Sequence, residues 1–267
     1  MTPSVRIAMW SGPRNISTAM MRAFENRPDT AVIDEPFYAA YLEATGIDHP
    51  LRAETLAAHE SDWRKVVSVL TGPVPGGRDV FYQKHITHHM LPEFDLAWTG
   101  QCRNVFLIRT PEAVLSSYSV KRPEFLPEDV GFSRQSELFD RECDRLGKPP
   151  PVVDADDVLR DPRAVLARLC VAVGIPFSER MLHWPAGPRP TDGAWAPAWY
   201  DSVERSTGFA APRSVPALGD DLKALADTLR PCYAHLARYN IMLSSTGMSS
   251  GKKPTQRHRG TEGGMNT

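Results

Sequence analysis

The chain has 267 residues, 42% of them hydrophobic and 24% charged, and these proportions are typical of a globular domain with a sizeable core. Its 31 basic and 32 acidic residues give a formal net charge of −1, and because the last 24 residues carry a local +3, the body carries −4. This charge excludes a general electrostatic grip on nucleic acid or on an anionic membrane but not a local anion site, and no apolar stretch approaches the roughly 18 residues of a membrane span.

Short β-branched runs alternate along the chain with longer segments of helical pattern. Strands are predicted over Val5–Trp10, Thr30–Ile33, Asp79–Gln83, Asn104–Ile108 and Pro151–Asp154, and helices over Ser17–Asn26, Pro111–Lys121 and Asp161–Val173. The strand segments are apolar on both faces, which is typical of parallel strands covered by helices on each side. The sequence therefore predicts an α/β fold, a three-layer α/β/α domain with a central, mostly parallel sheet.

Two segments interrupt this alternation. Residues 184–216 are crowded with proline, glycine and aromatic residues, and loops of that length in compact domains are usually lids or binding loops. Their three tryptophans, Trp184, Trp195 and Trp199, are candidates for lining a pocket. Residues 244–267 have almost nothing to bury, so we expect a single domain over residues 1–243 followed by a disordered, polar and basic tail.

The cysteines indicate the compartment. Cys102, Cys143, Cys170 and Cys232 are scattered, with no C-x-x-C pair. In a chain of this length they are typical of reduced thiols in a cytoplasmic protein, and the N-terminus lacks the pattern of a secretory signal. We therefore expect a cytoplasmic protein without a disulfide framework.

The first predicted strand runs directly into the turn Ser-Gly-Pro-Arg-Asn-Ile-Ser-Thr of residues 11–18, and a helix follows. A strand–loop–helix of this kind directs backbone N–H groups and the helix dipole at the loop, where the preferred occupant is phosphate. Gly12 permits a tight turn, Arg14 supplies a cation, and Ser17 and Thr18 can cap the helix. The turn lacks the Gly-Lys-Ser/Thr of a Walker A loop. A helix cap beside a surface arginine explains it equally well.

A second candidate anion site follows the fourth predicted strand. Arg109 stands at the carboxyl end of that strand, where ligands bind in open α/β sheets. Pro111 opens the next helix, and Ser117 lies two turns along it. The arginine and the serine can therefore hold one phosphate between them.

In this order, the two motifs resemble those of the PAPS-dependent sulfotransferases, which use 3′-phosphoadenylyl sulfate (PAPS) as sulfuryl donor. The resemblance covers most of residues 5–240 and implies the P-loop NTPase-like architecture of that family. It implies that the first turn binds the 5′-phosphosulfate and that Arg109 and Ser117 bind the 3′-phosphate. The donor-binding residues that it implies are Gly12, Pro13, Arg14, Asn15, Ile16, Ser17, Thr18, Arg109, Ser117, Arg189, Gly193 and Trp195.

Further segments extend the resemblance. Asp34-Glu35-Pro36 is similar to an acidic turn of bacterial sulfotransferases in which the glutamate can serve as base, and Arg189 with Gly193 and Trp195 is similar to the late loop that closes over the 3′-phosphate and adenine. The first turn and the segment after Glu35 resemble a branch sometimes labelled aminotransferase-like, although we find no separate aminotransferase region. Ile16 departs from the pattern, since many members have glycine there.

Two residues compete for the role of general base. Glu35 follows the second predicted strand, where burial can raise the pKa of its carboxyl group, although a helix-capping role is equally open. His85 follows the third predicted strand, and the neighbouring Lys84 is a candidate cation for the oxygen that leaves with the 5′-phosphate. We rank Glu35 first. Arg14 is expected to stabilise charge on the same leaving oxygen.

The histidines His85, His88 and His89 also raise the possibility of a metal site, because His85 and His89 are four residues apart and can share a helix face. No His-Glu-x-x-His pattern and no third ligand accompany them, so no metal is expected.

The resemblance implies an enzyme that transfers a sulfuryl group from PAPS to a hydroxyl or amine of a small-molecule acceptor and releases PAP. It implies no nucleic-acid or membrane partner, and it leaves the oligomeric state open. The acceptor pocket is expected around residues 37–75 and 122–150. Two alternatives stay open: a P-loop-like ATP-dependent kinase, and a non-catalytic nucleotide-binding domain.

Overall fold

Five strands form one sheet at the centre of the computed structural model, which describes residues 4–212 and 214–243. The strands are β1 (Val5–Ser11), β2 (Thr30–Asp34), β3 (Val80–Ile86), β4 (Arg103–Ile108) and β5 (Val152–Asp154). They lie in the order β2-β3-β1-β4-β5, and every neighbouring pair is parallel. The predicted α/β fold with a parallel central sheet is confirmed.

Helices cover both faces of this sheet. They are α1 (Ser17–Glu25), α2 (Tyr38–Thr45), α3 (Arg52–Ala58), α4 (Trp63–Thr71), α5 (Pro111–Lys121), α6 (Phe132–Leu146), α7 (Ala155–Arg160), α8 (Pro162–Val173), α9 (Ala196–Trp199), α10 (Asp201–Glu204) and α11 (Asp220–Ala237). In the described part of the chain, no helix has the length and apolar character needed to cross a membrane. The predicted tail, residues 244–267, lies outside the described residues.

The central strand β1 shows why both faces are apolar. Ile7 and Met9 point into a core formed with α1 and α8, whereas Ala8 and Trp10 point into a second core formed with α4, α6 and α11. All four side chains are at most 1% exposed. Because successive side chains of a strand point to opposite faces, burial on both sides requires the continuous apolar run seen in the sequence.

The strand order places the site. The chain leaves β1 for α1 at residue 11, and its neighbours β3 and β4 end at Ile86 and Ile108 on the same edge of the sheet. From β1 the chain crosses to β2 and β3 on one side of β1, and from β3 it crosses to β4 and β5 on the other side. This edge therefore contains the topological switch point at which open α/β sheets bind ligands.

Two boundaries differ from the prediction with consequences for the site. Strand β3 continues three residues beyond Gln83, so His85 lies inside the strand rather than after it. Helix α1 begins at Ser17 and is preceded by Ile16, which makes no side-chain cap hydrogen bond, so neither Ser17 nor Thr18 occupies the capping position assigned to it.

Candidate active site

The turn between β1 and α1 has an unusual backbone. Arg14 and Ile16 have φ values of 57° and 48°, in the left-handed region that costs a non-glycine residue about 1–2 kcal/mol. A hydrogen bond attaches the turn to β4, since the buried Asn15 side chain donates to the Leu107 carbonyl oxygen at 2.6 Å. It is also tightly covered, because a Cβ on Gly12 would lie 2.7 Å from the Val130 carbonyl oxygen.

Two guanidinium groups meet at this turn. Arg14 Nε donates to Ser117 Oγ at 2.9 Å, and Arg109 Nη1 donates to the Arg14 carbonyl oxygen at 2.9 Å. Burial lowers the pKa of both side chains, and the Arg109 charge further lowers that of Arg14. Arg109 Nε is buried without a hydrogen-bond partner among the described residues, its nearest carboxylate being Asp156 at 4.0 Å. Two positive groups without close neutralisation form a site for an anion of high charge.

One cavity of about 440 Å³ connects this turn to the ends of β2 and β3. Of the residues with predicted roles, those that line it are Pro13, Arg14, Asn15, Ile16, Ser17, Thr18, Glu35, Lys84, Arg109, Ser117 and Trp195. The structure therefore brings both predicted anion motifs and the acidic turn to one place. Gly12 does not line the cavity, and it permits the close approach of the Val130 backbone.

A buried ionic network forms the floor beside Glu35. Lys84 Nζ donates to Asp34 Oδ1 at 2.8 Å, to Glu35 Oε1 at 2.7 Å and to the Tyr200 hydroxyl at 2.6 Å. Burial alone would lower the pKa of Lys84, but the carboxylates of Asp34 and Glu35 raise it well above its ordinary value. An ammonium group has three donors, and all three are used here. Lys84 therefore holds Glu35 in place, and this geometry does not support its predicted role at the leaving oxygen.

Glu35 combines three features of a functional carboxylate. Its backbone is left-handed, with φ of 37°, and strain of this kind concentrates at functional sites. It lines the cavity. Burial raises its pKa above the ordinary value, and the Lys84 ammonium offsets this only in part. A carboxylate whose pKa is raised is a stronger base than an ordinary glutamate, which suits the role of general base. The alternative capping role has no support, because α2 begins at Tyr38 and Glu35 contributes only its carbonyl oxygen there.

His85 occupies a different position from the one predicted. Its ring stacks on Trp10 at 4.5 Å and is 2% exposed, within the core formed with α4 and α6. Neighbouring side chains in a strand point to opposite faces. Since Lys84 points toward the cavity, His85 points away from it, and the predicted role of His85 as base is corrected on this ground.

The two later histidines instead join a cluster beside Glu35. We call Tyr38, Tyr41, His49, His88 and His89 the ring cluster. His89 stacks on Tyr38 with ring centroids 4.5 Å apart, and its Nδ1 lies 3.9 Å from Glu35 Oε2. Among residues 4–212 and 214–243, no group of three or more His, Cys, Asp or Glu side chains is arranged to hold a metal ion.

Burial of these histidines predicts strong acid sensitivity. Burial lowers the pKa of His49 to about 4, those of His85 and His88 to about 3 and that of His89 well below its ordinary 6.5. Below pH 6.5 the unfolded chain takes up protons that the folded chain refuses, so stability falls with pH. Each proton contributes about 1.4 kcal/mol per pH unit, which amounts to roughly 5–6 kcal/mol per pH unit for the four histidines.

This dependence is measured by urea unfolding between pH 7 and pH 4. The free energy of unfolding should be nearly constant above the ordinary histidine pKa and then fall steeply. The substitution His85→Phe, which keeps an aromatic ring against Trp10, should reduce the slope by about one quarter. A free energy that stays level from pH 7 to pH 5 would contradict the prediction.

The late loop contributes only in part as expected. Trp195 and Trp199 line the cavity, whereas Trp184 is buried elsewhere against Phe209. Arg189 lies outside the lining and donates to the Pro185 carbonyl oxygen at 2.9 Å. The predicted contact of Arg189 with the 3′-phosphate is therefore not supported by its position.

Gly193 also lies outside the cavity lining, and its role is different from the predicted one. Its N–H donates to Asp34 Oδ2 at 3.1 Å, and a Cβ there would overlap the Trp195 ring at 2.1 Å. The residue before it, Asp192, pairs with the buried Arg22 of α1 at 2.7 Å. These contacts hold the late loop against β2 and α1, so Gly193 positions the loop without lining the cavity.

The residues that the sequence analysis missed are Tyr200 and, in the ring cluster, Tyr38, Tyr41 and His49, whereas it named His88 and His89 only as candidate metal ligands. The Tyr200 hydroxyl donates to Asp34 Oδ2 at 2.7 Å and accepts from Trp195 Nε1 at 3.1 Å as well as from Lys84. Tyr200 directly follows Trp199, so the sequence alone places it in the aromatic loop. Its partner Asp34 is 166 positions away, and only the fold brings the two together.

Comparison with known proteins identifies the family of this chain. The sulfotransferase domain family matches residues 5–242. Two relatives from Arabidopsis thaliana are similar to this chain. Branched-chain-amino-acid aminotransferase-like protein 1 is 42% identical over 79% of this chain and 37% of its own length. Branched-chain-amino-acid aminotransferase-like protein 2 is 37% identical over 90% of this chain and 43% of its own length. This chain thus spans less than half the length of these two relatives.

Two solved structures share the fold. A sulfotransferase from Alicyclobacillus acidocaldarius has a TM-score of 0.55 and 13% identity, covering 89% of this chain and 95% of its own. The sulfotransferase domain from the curacin biosynthetic pathway has a TM-score of 0.52 and 17% identity, covering 85% of this chain and 98% of its own. The family match extends over nearly all the described residues, and the chain belongs to the sulfotransferase family, beside curated relatives with aminotransferase-like names.

Proposed function

We propose that this chain transfers a sulfuryl group from PAPS to a hydroxyl or amine of a small acceptor and releases PAP. The observation that carries the proposal is the convergence, in one cavity, of the Arg14/Arg109/Ser117 anion site with the buried Glu35. Family membership supports sulfuryl transfer in general. The choice of donor rests on the charge and the polar groups of the site.

The residues present fit a donor with two separated phosphate groups. Arg109 carries a buried Nε with no partner among the described residues, and Arg109 and Arg14 together favour a highly charged anion near Ser117, which suits a 3′-phosphate. The turn at the N-terminus of α1 suits the 5′-phosphosulfate. Because Arg14 contacts Ser117, we now assign its guanidinium to both phosphates rather than to the leaving oxygen alone.

Sulfuryl transfer requires that the donor and the acceptor be correctly positioned and that one group accept a proton. When bound, PAPS supplies the sulfuryl group: the bond from sulfur to the 5′-phosphate oxygen breaks, a bond from sulfur to the acceptor oxygen or nitrogen forms, and the acceptor loses one proton. Glu35 takes that proton. Lys84 keeps the Glu35 carboxylate oriented, and Arg14 stabilises the charge that accumulates on the departing 5′-phosphate.

The first test is calorimetric titration of the purified protein with PAP and, in parallel, with ATP and Mg²⁺. The proposal expects PAP to bind without metal and ATP to bind much more weakly. Tighter binding of ATP that requires Mg²⁺ would overturn it in favour of a kinase. Tight PAP binding followed by no transfer to any member of a broad acceptor panel would favour a non-catalytic nucleotide-binding domain.

Substitution of Arg109 tests the phosphate assignment. We expect Arg109→Ala to weaken PAP binding by about 10- to 150-fold, the equivalent of one or two charge-assisted hydrogen bonds, and to weaken adenosine 5′-monophosphate much less. The matched control is Arg189→Ala, which removes the arginine that lies outside the cavity and should leave both affinities unchanged. Equal losses for the two nucleotides in Arg109→Ala would remove this residue from the 3′-phosphate site.

A further inference from the structure

The two carboxyl oxygens of Glu35 have different surroundings. Oε1 accepts from Lys84 Nζ at 2.7 Å, and the Tyr200 hydroxyl lies 3.5 Å from it. Oε2 accepts no hydrogen bond from any residue in the described part of the chain. Because Oε1 already faces an ammonium group and Glu35 lines the cavity, Oε2 is the oxygen that is free to take a proton from an acceptor.

A buried ring nitrogen lies beside this oxygen. His89 Nδ1 is 3.9 Å from Glu35 Oε2, has essentially no accessible surface and makes no hydrogen bond to the described residues. The His89 ring stacks on both Tyr38 and Tyr41, with centroid distances of 4.5 Å and 5.0 Å, and these contacts hold it in place. Neither water nor an acceptor molecule reaches Nδ1. Since buried polar atoms are normally paired, its partner must be a protein group, and Glu35 Oε2 is the group beside it.

The separation of the two atoms indicates that both present lone pairs. An N–H group aimed at a carboxylate oxygen closes to roughly 2.7–2.9 Å, whereas two lone pairs stay apart. Burial, followed by the charges of neighbouring basic side chains, lowers the pKa of His89 well below its ordinary 6.5. The ring is therefore neutral near pH 7. With its single proton on Nε2, it presents the Nδ1 lone pair to the ionised Glu35 carboxylate.

We propose that His89 is a positioning residue for the base, because its Nδ1 accepts a hydrogen bond from Glu35 Oε2 once that oxygen has taken the proton of the acceptor. In this step the acceptor O–H or N–H bond breaks, the Oε2–H bond forms and His89 stays neutral. The proton passes to water before the next turnover. This inference rests on the proposed function and adds to it the group that stabilises the protonated base.

The hydrogen bond requires a small movement of Glu35, by about 1 Å toward Nδ1. Protonation favours this movement, because it removes the negative charge that holds Glu35 to Lys84 and gives Oε2 a hydrogen to donate. Lys84 stays in place through Asp34, which accepts from it at 2.8 Å. A hydrogen bond to the protonated form raises the pKa of Glu35 and makes it a stronger base.

The first test measures the pKa of Glu35 directly, by ¹³C NMR titration of the full chain labelled at the glutamate carboxyl carbons. Glu35→Gln identifies the Glu35 signal. His89→Phe keeps a ring against Tyr38 but removes both ring nitrogens. We expect it to lower the midpoint of Glu35 by about one pH unit, a tenfold loss of proton affinity. Other titratable groups also face this pair, and His89→Phe leaves them all in place: Asp34, Tyr38, His49, Lys84, His85, His88 and Tyr200.

Two further variants make this test specific. His89→Asn places an amide oxygen close to the position of Nδ1 and should return the midpoint most of the way to the wild-type value. His85→Phe makes the same ring substitution in the core outside the cavity and should leave the midpoint unchanged. An unchanged midpoint in His89→Phe would refute the inference. A raised midpoint would also refute it, since Nδ1 would then donate to the carboxylate.

Sulfuryl transfer gives a second readout. His89→Phe should lower the plateau of kcat by about three- to tenfold, shift its rising limb to lower pH and leave the KM for PAPS unchanged. A shifted carboxyl midpoint with an unchanged limb would show that Glu35 is not the base and would remove the proposed role of His89. The NMR titration needs neither donor nor turnover. A wild-type chain that fails to bind PAP would therefore contradict the proposed function, while the contact between His89 and Glu35 is decided separately.

Discussion

Replacing Lys84 with methionine should lower the free energy of unfolding by roughly 3–5 kcal/mol, the usual cost of removing one partner of a buried ion pair. Lys84 and Asp34 side chains are each 1% exposed, and Glu35 is 11% exposed. Methionine fills similar space but leaves two carboxylates together with no cation. The loss should therefore come from electrostatics rather than from a cavity, and it is measured by urea unfolding at pH 7.

Two comparison variants make this expectation specific. Adding Asp34→Asn to Lys84→Met removes one of the two uncompensated charges and should recover part of the lost stability. Lys65→Met makes the same substitution at a lysine that is 68% exposed and 3.5 Å from Glu60, where the change should stay within about 1 kcal/mol. A similar loss in Lys84→Met and Lys65→Met would show that the buried network is not what stabilises this part of the fold.

Glu35→Gln should reduce kcat of sulfuryl transfer by about 10²- to 10⁴-fold, the usual contribution of a positioned general base. Glutamine keeps the size and an acceptor oxygen for Lys84 but cannot take the proton of the acceptor. PAP affinity should change little, because the anion site is formed by Arg14, Arg109 and Ser117. The measurement is steady-state transfer together with PAP titration of the same preparation.

The pH dependence provides an independent readout. Since Glu35 must be ionised to act and burial raises its pKa, wild-type kcat should rise with pH, with a midpoint above the ordinary 4.5. This rising limb should disappear in Glu35→Gln. Glu43→Gln, on the exposed surface of α2, should retain both the rate and the limb. A variant at Glu35 that kept the wild-type profile would assign the base to another group.

The layers of the fold were predictable because burial on both faces leaves a local signal. Each predicted strand and each predicted helix overlaps an observed one, and α5 begins and ends at the predicted residues. The position of β1 at the centre of the sheet was not predictable in the same way. It depends on which strands pair across the 75 residues between Val5 and Val80, and pairing at that distance leaves no pattern in the sequence.

The anion-binding part of the site could be predicted from the sequence, whereas the part beside Glu35 that contains Tyr200 and His49 could not. The reason is again the distance along the chain between residues that the fold brings together. Arg14 and Arg109 stand in contiguous motifs at strand ends, whereas Tyr200 and His49 reach the cavity from separate loops. The position of His85 could have been obtained from strand periodicity. Once β3 is extended to Ile86, Lys84 and His85 must point to opposite faces, and only one of them can reach the cavity.

The left-handed backbone of the first turn has a consequence for engineering. Glycine in place of Ile16 would relieve a strain of about 1–2 kcal/mol, but it would lose about 0.5–1 kcal/mol through the added freedom of the unfolded chain and would also remove the packing of the Ile16 side chain against the core. These losses offset the relieved strain, so the substitution would loosen the turn without raising the stability of the protein. Mutant libraries meant to raise the thermal stability of this protein should leave residues 11–18 unchanged and vary residues at the opposite edge of the sheet.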